Sequence, residues 1–333
     1  MPFYNKLIRG TNFVPFTQKE SVRMIDTITI QTNDRLAKEA IRESISKEKL
    51  RETDINSFAG NIENMQIKGN CNGVFITGSI AKFLNKENVT PLNRESYKTG
   101  LHKLETIIGY DFLKDCIVRR VDIGYSFIVR NPVVDYLSLF GFYDNAKYER
   151  VQYGMIDTLT YKTNTGSFAF CAYDKIKECV KKNDNIPDLY NAMNVLRMEY
   201  RILKRQGIQH IFQQDIKPYD IAEKAIYRKL IGLFLGFYNG IQKNGRSIIV
   251  NTDKELTEKE FNDLIAEKYR QKYTADYECT KQSLIDKGLF SVPTLKRIRQ
   301  KEKKNRNDFS FSDTNSLIQE IDEKTRLIEL QGN

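Results

Sequence analysis

Three segments of this 333-residue chain interrupt apolar, strand-like runs with charged side chains. They lie at residues 119–125, 172–178 and 196–201. Successive side chains of a strand point to opposite faces, so residues two apart share a face. If the three segments pair in one sheet, a tyrosine of the second segment lies beside carboxylates and basic groups of the other two. This pattern constrains both the fold and the chemistry of the chain.

The alternation along the first two-thirds of the chain is typical of β-strands, with a helix predicted at 94–108. The predicted strands are 23–30, 65–69, 74–79, 117–129, 158–162, 167–173 and 195–204. Short turns join several of them, which favours antiparallel pairing. We therefore predict an α+β protein with an antiparallel sheet covered by helices.

The pattern becomes helical after about residue 218, and we expect a domain change near residue 215. The predicted domains are 1–215, which carries the sheet, and 216–333, a mainly helical region that binds DNA or a partner. Helices are predicted at 219–240, 257–273, 275–287 and 313–328. The densest basic run, 296–306, is either a solvated helix surface or linker, or in a second interpretation a phosphate-binding helix. In the second interpretation, the candidate DNA contacts are Lys296, Arg297 and Arg299.

The composition favours a polyanionic partner inside a reducing compartment. The net charge is +10, from 53 Lys and Arg against 43 Asp and Glu, which favours nucleic acid. Five scattered cysteines without a CxxC spacing predict reduced thiols and a cytoplasmic location. No apolar run approaches the roughly 18 residues of a membrane span, so no membrane partner is expected. The two histidines lie far apart in sequence, which argues against a zinc site.

Tyr173 is the candidate nucleophile of the second charged segment. If its strand continues, Lys175 and Lys177 share its face and Glu178 lies on the other face. A change to helix after Tyr173 would alter this arrangement. An ordinary amphipathic hairpin, with Tyr173 packed and the lysines solvated, is the alternative to a reactive site.

Asp122 and Glu199 are carboxylates flanked by apolar strand residues. Burial of such a group is costly unless it is paired or binds a metal. Arg120 and Arg197 each precede a carboxylate by two residues on the same face, so ion pairs are one interpretation. The other interpretation is a site for Mg²⁺ or Mn²⁺, with arginines that orient the carboxylates or bind phosphate.

A tyrosine beside carboxylates and basic groups suits the cleavage of a phosphodiester. The hydroxyl can attack phosphorus and stay covalently attached, which preserves the bond energy for later joining. Positive groups can neutralise the phosphoryl oxygens. Because plain hydrolysis needs no tyrosine, the combination favours nicking and joining.

The order of four motifs resembles the gene II/X family of phage and plasmid replication proteins. The motifs are Arg120-Val121-Asp122, Thr158-Leu159-Thr160-Tyr161, Tyr173-Asp174-Lys175-Ile176-Lys177-Glu178 and Leu196-Arg197-Met198-Glu199-Tyr200-Arg201-Ile202. The segment Met24-Ile25-Asp26-Thr27 also looks like the start of that family. The resemblance covers about residues 24–215.

The resemblance implies a rolling-circle replication initiator with an HUH-like or Rep-like nuclease core. Such an enzyme nicks one strand of a duplex origin, stays bound to the 5′ phosphate through tyrosine and later rejoins the strand. By resemblance, the nucleophile is Tyr173, favoured over Tyr161, with Lys175 and Lys177 as catalytic neighbours. Arg120, Arg197 and Arg201 are then expected to contact DNA.

One departure concerns the metal. The wider superfamily binds its cation with a His-hydrophobe-His pair that this chain lacks, so Asp122, Glu199 and Glu178 would have to replace it. The expected partners are single-stranded or origin duplex DNA, a host helicase and a second copy of the chain. The alternative function is a non-catalytic DNA-binding regulator of plasmid or phage replication.

Overall fold

A ten-stranded antiparallel sheet carries the three charged segments. The computed structural model describes residues 24–46, 49–54, 57–143, 147–153, 157–243, 248–250, 255, 257–272, 274–311 and 315–332. The strands are β1 (Ile25–Thr32), β2 (Arg51–Asp54), β3 (Ser57–Ile62), β4 (Met65–Asn70), β5 (Gly73–Ser79), β6 (Ile117–Val129), β7 (Phe140–Tyr143), β8 (Tyr148–Tyr153), β9 (Thr158–Thr163), β10 (Phe168–Asp174), β11 (Asn194–Ile202), β12 (Ile241–Lys243), β13 (Ile248–Val250) and β14 (Phe309–Phe311). The order of the large sheet is β2-β3-β4-β5-β1-β6-β11-β10-β9-β8.

Helices connect and cover the strands. They are α1 (Arg35–Ser44), α2 (Ile80–Asn85), α3 (Arg94–Ile108), α4 (Val133–Leu137), α5 (Lys175–Lys182), α6 (Arg205–Phe212), α7 (Lys224–Gly240), α8 (Glu258–Lys272), α9 (Thr274–Asp286), α10 (Val292–Asp308) and α11 (Asn315–Gly332). The α+β prediction is confirmed, and α3 and β6 have the predicted bounds. Of the predicted elements, residues 23, 273, 313 and 314 lie outside the described part of the chain.

The apolar face of the sheet packs against α7 through aromatic rings. The rings of Phe170 on β10 and Phe237 on α7 stack with centroids 4.8 Å apart, and Phe234 is fully buried beside them. The alternation of the strands therefore leaves the charged side chains on the opposite face. The apolar core fixes which face of each strand can carry chemistry.

The chain forms two compact units. The first comprises the described residues within 1–137, 141–242 and 320–333, and the second those within 138–140 and 243–319. The first unit contains the large sheet and α7, whereas the second contains α8, α9, α10 and the β13–β14 pair. The functional division predicted at residue 215 stays a prediction. In the described part of the chain, no helix combines the length and the apolar character of a membrane span.

Candidate active site

The strand register brings the three charged segments together on one face of the sheet. Tyr173 of β10 pairs with Arg197 of β11, and Asp122 of β6 pairs with Arg201 of β11. Glu199 lies between these two pairs, opposite Gly124. Directly paired residues of antiparallel strands share a face, so the tyrosine, the carboxylates and the arginines form one cluster.

Glu199 is the centre of this cluster. Its Oε1 accepts hydrogen bonds from Tyr173 Oη at 2.7 Å and from Arg197 Nε at 3.0 Å. Its Oε2 accepts two hydrogen bonds from Arg201, at 2.8 Å from Nε and 2.5 Å from the terminal nitrogen. Both carboxylate oxygens of Glu199 are therefore engaged by protein groups.

Arg197 is fully buried and holds the cluster to β1. Besides Glu199, it donates to Asp26 Oδ2 at 2.9 Å and to Ser126 Oγ at 3.1 Å. The sequence prediction that Arg197 contacts DNA is thus corrected, since this arginine is an internal counter-ion. Asp26 was not predicted as a site residue, although a carboxylate inside the apolar start of β1 is the same signal that identified Asp122.

Arg120 and Arg201 form the exposed edge of the cluster. Arg120 binds Asp122 through two hydrogen bonds of 2.8 and 2.5 Å. The side chains of Arg120 and Arg201 are 31% and 29% exposed, whereas that of Asp122 is 4% exposed. These two guanidinium groups can therefore meet a ligand from solution.

The pKa directions indicate that the Tyr173 phenol is protonated in the free protein. Burial raises the pKa of Tyr173 well above its usual value, and the negative charge of Glu199 adds to this effect. Burial would also raise the pKa of Glu199, but Arg201 and Arg197 hold that pKa well below its usual range. The phenol therefore keeps its proton and Glu199 its charge.

Asp122 behaves differently from Glu199. Burial raises the pKa of Asp122 to about 6, against the opposing hydrogen bonds and charge of Arg120. Three arginines face three carboxylates in the cluster: Arg120, Arg197 and Arg201 face Asp26, Asp122 and Glu199. Protonation of Asp122 would leave the cluster with an excess positive charge.

The segment after Tyr173 is a helix and does not continue the strand. Asp174 caps α5, because its side chain accepts a hydrogen bond from the backbone of Lys177 at 3.0 Å. The helix brings Lys175 and Glu178 to the same side, where they form an ion pair of 2.7 Å. Lys175 is buried, with Nζ 6.0 Å from the Tyr173 ring centroid. Lys177 is exposed and pairs with Asp157, away from the cluster.

The alternative nucleophile, Tyr161, lies on the opposite face of the sheet. It pairs with Phe170 in the apolar layer, and its hydroxyl donates to the carbonyl of Gly141 at 2.6 Å. Burial raises the pKa of Tyr161 to about 12. The sheet therefore separates Tyr161 from every charged residue of the cluster.

The predicted metal ligands do not form a cation site in this arrangement. Asp122 and Glu199 already bind guanidinium groups, and Glu178 binds Lys175 and Lys182. Among the described residues, no group of three acidic, histidine or cysteine side chains is placed to hold a metal ion. The requirement for Mg²⁺ or Mn²⁺ stays a sequence prediction.

A basic groove continues from the cluster across the same face. It has a volume of about 740 Å³ and includes Arg120, Arg119, Lys68 and Phe75 in its lining, with no Asp or Glu. A second groove of about 790 Å³ shares Phe75 and Arg119 and is also free of acidic residues. Single-stranded nucleic acid binds to surfaces of this kind, where cations track the backbone and aromatic rings stack on bases.

Arg119 reaches this groove because of a β-bulge. Thr29 of β1 pairs with Arg120, but the next residue, Ile30, pairs with Val118, so Arg119 is the extra residue. Strict alternation places Arg119 on the face opposite Arg120. For that reason Arg119 was not predicted from the sequence as a site residue. The adjacent pair Arg119-Arg120 was the one sequence feature that could have indicated it.

The other predicted DNA contacts lie in the second unit. Lys296, Arg297 and Arg299 are exposed side chains of α10. The basic run is therefore helical, which excludes a linker, and its contact with phosphate stays a prediction.

The comparison with protein families agrees with these motifs. The family model of the replication-associated protein G2P N-terminal domain matches residues 24–217, more than half of the chain. The search of curated proteins gives no match. Among solved structures, the chain is similar to a rolling circle replication initiator protein from Geobacillus stearothermophilus, at 10% identity and a TM-score of 0.33. That match covers 72% of this chain and 93% of the other. The family match spans β1 to β11, and with them every residue of the charged cluster.

Proposed function

This chain belongs to the replication-associated protein G2P N-terminal family of phage and plasmid replication proteins, and from that premise we propose that it nicks one strand of a replication origin through Tyr173. The observation that carries the proposal is the 2.7 Å hydrogen bond from Tyr173 Oη to Glu199, among guanidinium groups on one sheet face. A phenol attached to phosphorus preserves the ester for rejoining, as rolling-circle replication requires.

The proposed step exchanges one phosphate ester for another. Tyr173 Oη forms a bond to phosphorus while the bond from phosphorus to the 3′ oxygen breaks. The phenolic proton passes to Glu199, and the 3′ oxygen takes a proton from water and leaves as a hydroxyl. The reverse reaction, with a 3′ hydroxyl as the attacking group, rejoins the strand.

The substrate itself activates the nucleophile in this proposal. Arginine binds phosphate oxygens in bidentate geometry, and Arg201 lies at the exposed edge of the cluster. When a phosphate draws Arg201 away, Glu199 loses the counter-charge that lowers its pKa. Glu199 then becomes a stronger base beside Tyr173, and the released arginine neutralises charge on the phosphoryl group.

The groove supports the proposed substrate, a single strand. Lys68, Arg119 and Arg120 line it, and Phe75 offers a ring on which a base can stack. The guanidinium carbon of Arg119 lies 5.9 Å from the Phe75 ring centroid, so charge and stacking surface are adjacent. A strand in this groove passes Arg120 and reaches the edge of the cluster.

The test is a covalent adduct. The full chain is incubated with a supercoiled plasmid and with 3′-labelled oligonucleotides from the DNA that surrounds its gene, in Mn²⁺ or Mg²⁺, because the fragment that stays on the tyrosine carries the 3′ end. We expect a labelled protein band on a denaturing gel, with the nucleotide located on Tyr173 by mass spectrometry. Tyr173→Phe should give no adduct.

Three results would contradict the proposal. Nicking without any adduct would indicate hydrolysis, and an adduct on another residue would refute the assignment of Tyr173. Tight DNA binding with neither nick nor adduct would favour the non-catalytic regulator.

A further inference from the structure

The second unit contains two helices joined by a tight, defined turn. α9 ends at Asp286 and α10 begins at Val292. Backbone hydrogen bonds from Gly288 and Leu289 return to α9, the latter to the carbonyl of Leu284 at 3.1 Å. Gly288 has φ +69°, a left-handed conformation that favours glycine at the end of a helix.

The start of α10 is fixed by a side-chain cap. Ser291 Oγ accepts a hydrogen bond from the backbone nitrogen of Thr294 at 3.3 Å and lies 2.8 Å from its hydroxyl oxygen. Turn and cap together determine the direction in which α10 leaves α9.

One side of α10 is held against α8 and α9. Glu302 accepts hydrogen bonds from Tyr277 Oη at 2.7 Å and from Lys281 Nζ at 3.0 Å, both on α9. Lys301 forms an ion pair of 2.6 Å with Asp263 on α8. Burial opposes ionisation of Glu302, but the bonds from Tyr277 and Lys281 hold its pKa below the usual value. The orientation of α10 is thus fixed within the unit.

The other side of α10 is a continuous basic surface. At 3.6 residues per turn, its five cations lie within an arc of about 160°. They are Lys296, Arg297, Arg299, Lys303 and Lys304, all exposed. Within the described part of the chain, the structure gives none of these five an ion-pair partner. The intervening acid, Glu302, points to α9 and does not reduce the positive charge of this surface.

We propose that α10 reads the major groove of double-stranded DNA, held in position by its contacts with α8 and α9. The major groove admits an α-helix, and one side of α10 is fixed to its neighbours while the other is basic and exposed. Arginine donates two hydrogen bonds to guanine in the major groove, and Lys303 and Lys304 suit phosphates. Val292 is 81% exposed at the start of α10, where an apolar group can contact a thymine methyl. This binding site goes beyond the proposed nicking site, because it lies on α10 and uses no residue of the Tyr173 cluster.

The test measures binding in a full-length chain that carries Tyr173→Phe, so that cleavage does not interfere. The probes are 30-base-pair duplexes that tile the DNA around the gene, an unrelated duplex, an RNA duplex and single-stranded oligo(dT), followed by fluorescence anisotropy. We expect one tiled duplex to bind more tightly than the other probes. Arg297→Ala and Arg299→Ala should each weaken that binding by about tenfold and reduce the preference over unrelated duplex.

The matched control is Lys259→Ala, which removes one exposed cation from α8 of the same unit and should change the affinity less than about twofold. Methylation of guanine N7 in the preferred duplex should block binding, since that atom lies in the major groove. The proposal is overturned if the α10 variants bind as the parent does or lose no more than the control. Equal affinity for the RNA duplex or for oligo(dT) would also overturn it, because neither presents a readable major groove. A failed nicking experiment would leave all these binding results unchanged.

Discussion

The phenol of Tyr173 and the carboxylate of Glu199 share a hydrogen bond of 2.7 Å beneath the exposed arginines of the sheet face. Tyr173 is 7% and Glu199 3% exposed, so the contact is nearly closed to water. The acid that receives this bond is also the counter-ion of Arg197 and Arg201. In the proposed reaction, stability and reactivity therefore depend on the same carboxylate.

Glu199→Gln should impair both properties. The amide removes the charge that Arg197 and Arg201 require, and loss of one partner from a buried ion pair costs about 3–5 kcal/mol of unfolding free energy. Chemical denaturation measures that loss, and single-turnover cleavage should fall even under conditions where the variant is fully folded. Glu149→Gln is the control, because its partner Lys162 lies 3.7 Å away at the surface. An equally stable, fully active Glu199→Gln variant would show that this carboxylate has neither role.

Gly124→Ala should disturb Glu199 without changing any charged residue. A Cβ at Gly124 would lie 2.5 Å from the carbonyl oxygen of Met198 and 2.6 Å from Glu199 Cγ, and the backbone oxygen cannot move freely. We expect a loss of about 1–3 kcal/mol in unfolding free energy and a larger loss of cleavage. Gly232→Ala on α7 is the control, since a Cβ there meets nothing within 4 Å and should stabilise the helix by about 1 kcal/mol. Equal effects of the two substitutions would contradict this account.

Tyr161→Phe should leave cleavage intact. Tyr161 lies in the apolar layer, and its hydroxyl, which also interacts with the side chain of Arg150, donates a hydrogen bond to the carbonyl of Gly141. Loss of that bond should cost about 1 kcal/mol of unfolding free energy. Adduct formation on origin DNA, compared at matched folded fractions, checks the expectation. Loss of the adduct in Tyr161→Phe but not in Tyr173→Phe would exchange the roles of the two tyrosines.

The regular alternation of apolar and polar residues made most strands of the sheet predictable. The face on which a given side chain lies depends on the pairing register of its strand, which the sequence alone does not reveal. Tyr161 and Tyr173 both lie on strands of one hairpin, but only the pairing of each with its neighbours places them on opposite faces. The helix at 94–108 was predictable because its apolar residues recur on one face. β2, by contrast, is short, charged and at the sheet edge, so only its pairing with β3 reveals it.

Two local backbone features explain why the positions of some site residues differ from those predicted from the sequence. Asp174 ends β10 by capping α5, which brings Lys175 and Glu178 together and turns Lys177 outward. The bulge at Arg119 shifts the alternation of β6 by one residue. The strand end and the bulge are both changes in backbone conformation, and the side-chain sequence alone predicts neither.

Divalent cations should not change the stability of the free protein. Asp122 and Glu199 are occupied by guanidinium groups, so no carboxylate of the cluster is available to Mn²⁺ before DNA binds. We expect the same melting temperature in EDTA and in millimolar Mn²⁺. A rise in Mn²⁺ that disappears in Asp122→Asn would demonstrate a cation site in the free protein. The predicted need for Mg²⁺ or Mn²⁺ in cleavage is a separate question, tested by nicking in EDTA.

Asp122 should make stability depend on pH in a direction opposite to that of most carboxylates. Its pKa is raised from 3.8 to about 6 by burial, so between these values the folded state binds more protons than the unfolded state. The contribution of Asp122 to the free energy of unfolding is fully present below pH 4 and is lost as the pH rises through 6. Asp122→Asn cannot titrate, so its stability relative to the parent should rise by up to about 3 kcal/mol between pH 4 and 7. Urea denaturation of both proteins at several pH values measures the difference. A stability of Asp122→Asn relative to the parent that stays constant, or that falls as the pH rises to 7, would mean that Arg120 dominates over burial and that Asp122 remains charged throughout.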